Sequence, residues 1–458
     1  MNYALTNFAR TRKPVDGRDV FKDLNSPDYK DGSRTGSKNK KQGSNSNKDK
    51  YQNKDKHSDD DKYQNMDKGS NKTKKTSYSR KSSKDSKIRK RVKSIDVIRG
   101  LAIGLMILGN NQAIWQRVYP PLRHAVWNGV TLADFAFPFF VISLGVTIPI
   151  SIDSRLKRND PTLRISLSIV RRSVMLILFG VFLNYLKNQD LNTIRILGVL
   201  QRMGLVYFVT SFVYFFMRKA KKKDLFIITS MIAISAFIVV EYYFIAKPYG
   251  FQMEGSLAQR VDMYFFKGHL YKPEFEPDGF LTSFVAIASG MLGCSMGSIV
   301  NNKKLGEYKK FLLILAFGIV MLLLSKYFNN YFPYNKRLWS SSFVLLTAGS
   351  YGLLLSILYF ICDILKISKI FTPIIALGSS PIFVYVAAES LAILFWYRVV
   401  TSSTPPYNSL YYIEDFTYTY ITPWAGSTWD SLVFAIGYLI IWMIVMMFIY
   451  KKDIVIKI

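Results

Sequence analysis

From residue 94 onward the chain alternates apolar runs of roughly twenty residues with short polar connections. No other feature constrains the fold as tightly. A run of that length crosses a bilayer as a helix, because a helix satisfies its own backbone hydrogen bonds where no water is present. Ten such spans can be drawn, near 97–116, 131–152, 170–187, 194–217, 225–246, 281–300, 311–328, 338–361, 370–396 and 429–450. The expectation is an all-α polytopic membrane protein with about ten transmembrane helices. An ordinary soluble enzyme is excluded for this part of the chain.

Residues 1–93 are of another kind. They hold 27 Lys and Arg, 12 Asp and no Glu, with few apolar side chains. The tetrapeptide Lys50-Tyr51-Gln52-Asn53 recurs as Lys62-Tyr63-Gln64-Asn65. Such a segment buries too little apolar surface to offset its ordering entropy, so it reads as a disordered basic tail. It lacks the apolar stretch of a signal peptide. Its charge suits anionic lipid at a cytoplasmic surface, and Lys87 to Lys93 sit immediately before the first span. Nucleic acid is not an expected partner, because no aromatic-interleaved platform accompanies the charge. The expected division is thus a tail, 1–93, and a membrane domain, 94–458.

Lysine and arginine in the connections set the orientation. With the tail inside, the inner connections carry 18 of them, against about 11 spread over longer outer ones. An even number of spans returns the carboxy terminus to the same side. The expected location is therefore the cell membrane, crossed many times, with both termini cytoplasmic. Cys294 and Cys362 each lie inside an apolar run, and three histidines leave little room for a metal site, so none is expected.

Polar side chains inside a bilayer are costly and therefore informative. They concentrate around the first two spans: Arg99, Asn110, Arg123, His124, Trp127, Asn128 and Asp134. Asn110 lies eleven residues beyond Arg99, roughly 16 Å along a helix. His124 follows the outer end of the first span, and Asp134 falls in the first turn of the second. Asn110, His124 and Asp134 can therefore meet at one depth near the outer leaflet. A neutral His124 could take a proton from an attacking amine or hydroxyl, with Asp134 fixing its tautomer and Asn110 donating to an oxyanion. The plainer reading is an interfacial loop histidine. Arg99 falls at the inner end of the first span, where it can simply snorkel to headgroup phosphates.

The fourth span carries Arg195, Gln201 and Arg202, with the two arginines seven residues apart on one helical face. Arg202 lies deep in the apolar run. It meets either a bound anion or an ion-pair partner, for which Glu389 in the ninth span is the candidate. Phosphate-cradling glycine loops, metal motifs and Gly-x-Ser-x-Gly are absent.

Six stretches, in order along the chain, carry a family resemblance. They are SIDVIRGLAIGLMILGN, RHAVWNGVTLADFAFPFFVISLGVTIPIS, IRILGVLQRMGLVYF, FEPDGFLTSFVAIASGMLGCSMG, NKRLWSSSFVL and SSPIFVYVAAE. Together they resemble the heparan-α-glucosaminide N-acetyltransferase family, prokaryotic relatives included, over about 94–400. The most specific element is His-x-x-Trp-Asn-Gly followed by Ala-Asp and Pro-Phe-Phe. The resemblance implies a polytopic acyltransferase that uses cytosolic acetyl-CoA to acetylate an amino sugar across the membrane. It puts the family's active-site histidine on His124 and its partner asparagine on Asn110, and it strengthens Asp134 and Arg202. Arg99, Arg171, Arg172 and Arg202 become the expected cofactor-binding set. Arg123, Trp127, Asn128, Gln201 and Glu389 become the substrate-binding set.

Two departures bear on the acceptor. The lysosomal members carry a luminal domain and a further span ahead of this region, where this chain has its basic tail. The loop 247–280 also lacks their cysteine-containing insert. A cell-envelope glycan, a glycolipid or another exported acceptor is therefore expected, through N- or O-acetylation, and a homodimer is admissible. The rival from another class is a transporter or flippase for an envelope glycolipid, but the two related halves usual in transporters are not visible.

Overall fold

The computed structural model describes residues 91–397 and 416–454, together with 413 and 456. The tail expected over 1–93 lies outside the described residues, apart from 91–93. The described chain is helical, without a named strand. Its elements are α1 (Lys93–Asn110), α2 (Leu132–Lys157), α3 (Thr162–Lys187), α4 (Val199–Lys219), α5 (Asp224–Ala246), α6 (Leu257–Phe266), α7 (Phe280–Asn301), α8 (Glu307–Asn329), α9 (Ser341–Tyr359), α10 (Thr372–Ser379), α11 (Pro381–Tyr397) and, last, α12 (Asp430–Lys451). A single turn of helix at Thr422–Ala425 precedes α12.

Eight of the described helices are long and apolar enough to cross a membrane, and the bent pair α10–α11 makes nine. The expected ten differs from this by α1, whose eighteen residues include Lys93, Asp96 and Arg99. The charges of Asp96 and Arg99 are engaged within the protein. Asp96 is buried between Arg91 and Arg99, and the amides of Lys93 and Ser94 donate to the Asp363 carboxylate, each at 3.1 Å, which caps the helix.

Three boundaries depart from the sequence reading for identifiable reasons. The first span ends at Asn110 rather than near 116, because the Asn111 and Gln112 side chains bond back to the carbonyls of Ile107 and Leu108. The fourth span begins at Val199, not 194. Gly198 is extended, and the Asn184 amide bonds the carbonyls of Arg195 and Leu197, which holds that segment out of the helix. The ninth span is broken at Ser380 by 69°. Pro381 has no N–H to give, and it disfavours helical geometry in the residue before it.

The centre of the bundle is α7, buried almost along its whole length, with α2 against it. The two backbones touch. A Cβ on Gly145 would overlap the Gly290 carbonyl, and Cβ atoms on Gly293 and Gly297 would overlap the carbonyls of Ile142 and Val146. Small residues at a helix crossing permit this approach, and close packing drives association where apolar burial against lipid gains little. Gly318, Gly349 and Gly352 do the same for α8 and α9, and Gly100 and Gly378 for α1 and α10. Helices α3, α5, α8 and α12 form the outside, with large apolar side chains such as Leu178, Phe237, Leu323 and Ile444 exposed.

At one end of this core, Asp153 of α2 receives hydrogen bonds from Tyr214 at 2.9 Å and from Asn301 at 2.7 Å. Arg218 of α4 joins Asp153 to Asp224 of α5. The opposite end carries the site.

Candidate active site

The site is built on the first turn of α2. Thr131 is extended and Asp134 stands three residues on, in a capping-box arrangement. Asp134 Oδ2 accepts from the amides of Thr131 at 3.0 Å and Ala125 at 3.2 Å, and from the Thr131 hydroxyl at 3.1 Å. The carboxylate is 1% exposed. Its other oxygen, Oδ1, lies 2.8 Å from His124 Nδ1. A carboxylate can only accept here, so Nδ1 carries a proton, and in the neutral ring it is Nε2 that holds the lone pair. The imidazole is 46% exposed. It is thus fixed on one side and open on the other.

The loop from 111 to 131 carries His124 and is held at both ends. Ile114 donates to Ser431 at 3.1 Å, and Arg117 pairs with buried Asp430 at 2.8 Å. Further on, Trp127 Nε1 donates to the Phe251 carbonyl at 2.8 Å and its ring meets Phe275 edge-on. The Gly129 amide donates to the Tyr334 carbonyl, and Asn335 donates to exposed Asn128 at 3.2 Å. Arg123 is exposed and donates to the Gln116 carbonyl.

Sequence reasoning did not single out Lys336, which the turn between α8 and α9 brings in. Its Nζ lies 3.4 Å from Asp134 Oδ1 and 3.3 Å from His124 Nδ1. The turn is rigid. Asn335 accepts from the Leu338 amide and donates its own amide to Ser340 Oγ, while Trp339 adopts a φ of 50° that non-glycine residues rarely take. Trp339 is fully buried and donates to Ser289 at 3.2 Å.

Arg202 packs behind this turn. Its guanidinium lies 4.7 Å from the Trp339 ring centre, bonds Thr282 at 2.6 Å and Ser283 at 3.2 Å, and reaches Asp278 at 3.7 Å. These partners correct the expected pairing with Glu389. They also engage Arg202 at the opposite end of the bundle from Asp153, so it does not join the other arginines expected to bind a cofactor.

Arg195 is in the loop before α4, not on a helical face shared with Arg202. It pairs with Glu276 and with Asp278. Burial works against its charge, but Glu276 and Asp278 prevail and raise its pKa. Gln201 turns back to the Ile196 carbonyl at 3.0 Å. Asp262 of α6 accepts from the Phe280 amide at 2.8 Å; its second oxygen is buried without a hydrogen-bond partner.

Asn110 donates its side-chain amide to Glu389 Oε1 at 2.7 Å. The remaining arginines separate. Arg99 of α1 and Arg172 of α3 line one cleft with Phe140, Leu144, Thr147, Pro381 and Ile382. Each keeps a buried Nε without a hydrogen-bond partner. Arg171 is exposed and does not line that cleft. Leu144 and Thr147 are ten and thirteen residues beyond Asp134 on α2, so the cleft lies roughly 15–20 Å along that helix from the histidine. Among the described residues no cluster suited to a metal ion occurs.

Fold and site together define a polytopic helical membrane protein with a histidine–aspartate pair at one end of its bundle. Residues 91–271 match the family model for a domain of unknown function, DUF5009. The chain is also similar to heparan-α-glucosaminide N-acetyltransferase of Mus musculus, 29% identical over 357 residues, covering 66% of this chain and 54% of the relative. The Homo sapiens enzyme of the same name is 27% identical over 358 residues, covering 66% and 53%. The family resemblance drawn from the sequence stands on these matches. The chain spans about half the length of the curated relatives it matches.

Proposed function

We propose that this protein is a membrane-embedded acyltransferase. It moves an acetyl group from cytosolic acetyl-CoA to an amino or hydroxyl group of a glycan or glycolipid on the extracytoplasmic side. The observation that carries this reading is the His124–Asp134 pair, a half-exposed imidazole with its tautomer set by a buried carboxylate. In that state Nε2 can accept the proton of an attacking amine or hydroxyl and return it to the departing thiolate. It can equally take the acetyl group itself before passing it on.

The cleft lined by Arg99 and Arg172 would take the donor's phosphates. Two guanidinium groups with unpartnered buried nitrogens suit phosphate oxygens. Its separation from His124 along α2 is comparable to an extended pantetheine arm. In this reading Arg99 and Arg172 bind the donor near the cytoplasmic leaflet, and both termini are cytoplasmic. Trp127, Asn128 and Arg123 border the acceptor's approach to His124, and Asn110 donates to the oxyanion.

Purified protein in detergent tests this. Acetyl-CoA is expected to be hydrolysed or its acetyl group transferred, and His124→Ala is expected to lose orders of magnitude in turnover while keeping its CoA affinity. Comparing exported glycans and lipids of cells with and without the gene by mass spectrometry should reveal a missing acetyl mass. A His124→Ala protein that turns over acetyl-CoA like the parent rules the assignment out.

A further inference from the structure

We propose that Lys336 is a positioning residue for this reaction: its ammonium anchors Asp134 and opposes positive charge on His124. The inference rests on the acyltransferase reading of His124. It starts from a difficulty in that reading. A carboxylate 2.8 Å from Nδ1 orients the ring, but it also favours the imidazolium. An imidazolium has no lone pair on Nε2, and so can neither accept a proton nor attack a thioester. A cation placed against the pair removes that cost and leaves the orientation intact.

Lys336 is so placed. Its Nζ is 3.4 Å from the same Asp134 oxygen that His124 uses, and 3.3 Å from Nδ1 itself. Because Nδ1 bears a proton directed at Asp134, Lys336 donates to the carboxylate and not to the ring. Two donors then share Oδ1 while three others occupy Oδ2, so Asp134 has no freedom to turn. Protonation at Nε2 would put a second positive charge beside the ammonium, and like charges at this range disfavour each other.

Other charged groups act on Lys336 from behind. Asp278 before α7 favours its charged form, and Arg202 of α4 opposes it. Burial lowers its pKa from the ordinary lysine value, and Asp134 acts against burial. The neighbouring Arg123 is exposed and bonded to the Gln116 carbonyl. The rigid turn around Trp339, braced by Arg202, keeps the ammonium in place. This gives Arg202 a role that needs no bound anion.

Carbethoxylation by diethyl pyrocarbonate reads the neutral fraction of one imidazole, located by peptide mass spectrometry, and needs no acetyl donor. In the full-length protein, Lys336→Gln should raise the pH midpoint for modification of His124 by roughly one unit. The acidic limb of kcat/KM should move with it. Lys336→Arg should keep both near the parent values. Asp134→Asn, which leaves Lys336 unopposed, should lower the midpoint below the parent's, and it supplies the answer if Lys336→Gln does not fold.

An unmoved midpoint in a folded Lys336→Gln protein overturns the inference, as does an Asp134→Asn midpoint that fails to fall. Full acetyl transfer by His124→Ala would instead end the assignment of the reaction to His124, with the midpoints of the proteins that keep His124 unaffected. The two failures are therefore distinguishable.

Discussion

Asn110, in the last turn of α1, donates from its side-chain amide to Glu389 Oε1 of α11 at 2.7 Å. The amide has a second N–H, and Glu389 fixes where that one points. If that N–H stabilises an oxyanion, Asn110→Ala should reduce turnover about 10²-fold. Glu389→Gln should reduce it as well, because a neutral amide holds the orientation less firmly. The double variant should be no worse than the poorer single one, since both remove the same arrangement. Acetyl-transfer rates of the four proteins in one detergent preparation would check this. Fully additive losses would mean that the two residues act separately.

Asp134 has two tasks and His124 has one. Asp134→Ala removes the cap of α2 as well as the imidazole's partner, so it should cost about 0.5–2 kcal/mol of stability along with activity. His124→Ala should cost activity and little stability, because its ring is half-exposed. Thermal unfolding in detergent beside turnover would separate the two.

The arginines predict a pattern in donor affinity. Arg99→Gln and Arg172→Gln should each weaken CoA binding by roughly tenfold or more, the loss expected for a charge-assisted hydrogen bond. Arg171→Gln should leave it unchanged, because that side chain is exposed outside the cleft. Titration calorimetry with CoA would show it. Equal effects of Arg171 and Arg172 would sink this placement of the donor.

Asp262 gives the protein a pH-dependent stability. Burial pushes its carboxyl up to about 7 from an ordinary value of 3.8, against the opposing hydrogen bond from Phe280. Between those values the folded state holds a proton that the unfolded state has released. Stability from this group is therefore full below about pH 4, falls as pH rises toward 7, and is level beyond. The parent should unfold at a lower temperature at pH 7.5 than at pH 5, and Asp262→Asn should lose most of that slope. Parallel slopes in the two proteins would count against it.

The bundle's contacts can be tested without chemistry. Gly378→Ala places a Cβ on the Asp96 carbonyl and should cost about 1–3 kcal/mol or more. Gly437→Ala, with open space around the site, should be neutral. Thermal stability by size-exclusion chromatography would separate them.

The apolar runs carried most of the architecture, because a bilayer leaves the backbone few choices. What they could not carry was where polar groups end a helix. Arg195 reads as helical by hydropathy, yet Asn184, on another helix, captures its carbonyl and that of Leu197. The break before Pro381 was in principle readable from the Ser-Ser-Pro sequence, but the surrounding apolar residues concealed it. His124 and Asp134 are ten residues apart and their meeting followed from topology, whereas Lys336 comes from 212 residues away in a turn without periodicity. The partners of Arg195 and Arg202 were missed for a related reason. Asp278 and Glu276 are in a loop that hydropathy treats as solvent, although Glu276 is buried.

The burial of α7 has a consequence for how the protein is made. In the finished molecule this helix is almost wholly surrounded by other helices, yet during synthesis it enters the membrane before α8 and α9 exist. Its serines are suited to that interval. Ser283, Ser295 and Ser298 each bond a carbonyl four residues back in the chain, so these hydroxyls need no neighbour to be satisfied in lipid. Gly293 and Gly297, by contrast, are notches that α2 fills. Biogenesis therefore runs from a helix that tolerates lipid to one that no longer meets it, and the same residues serve both stages.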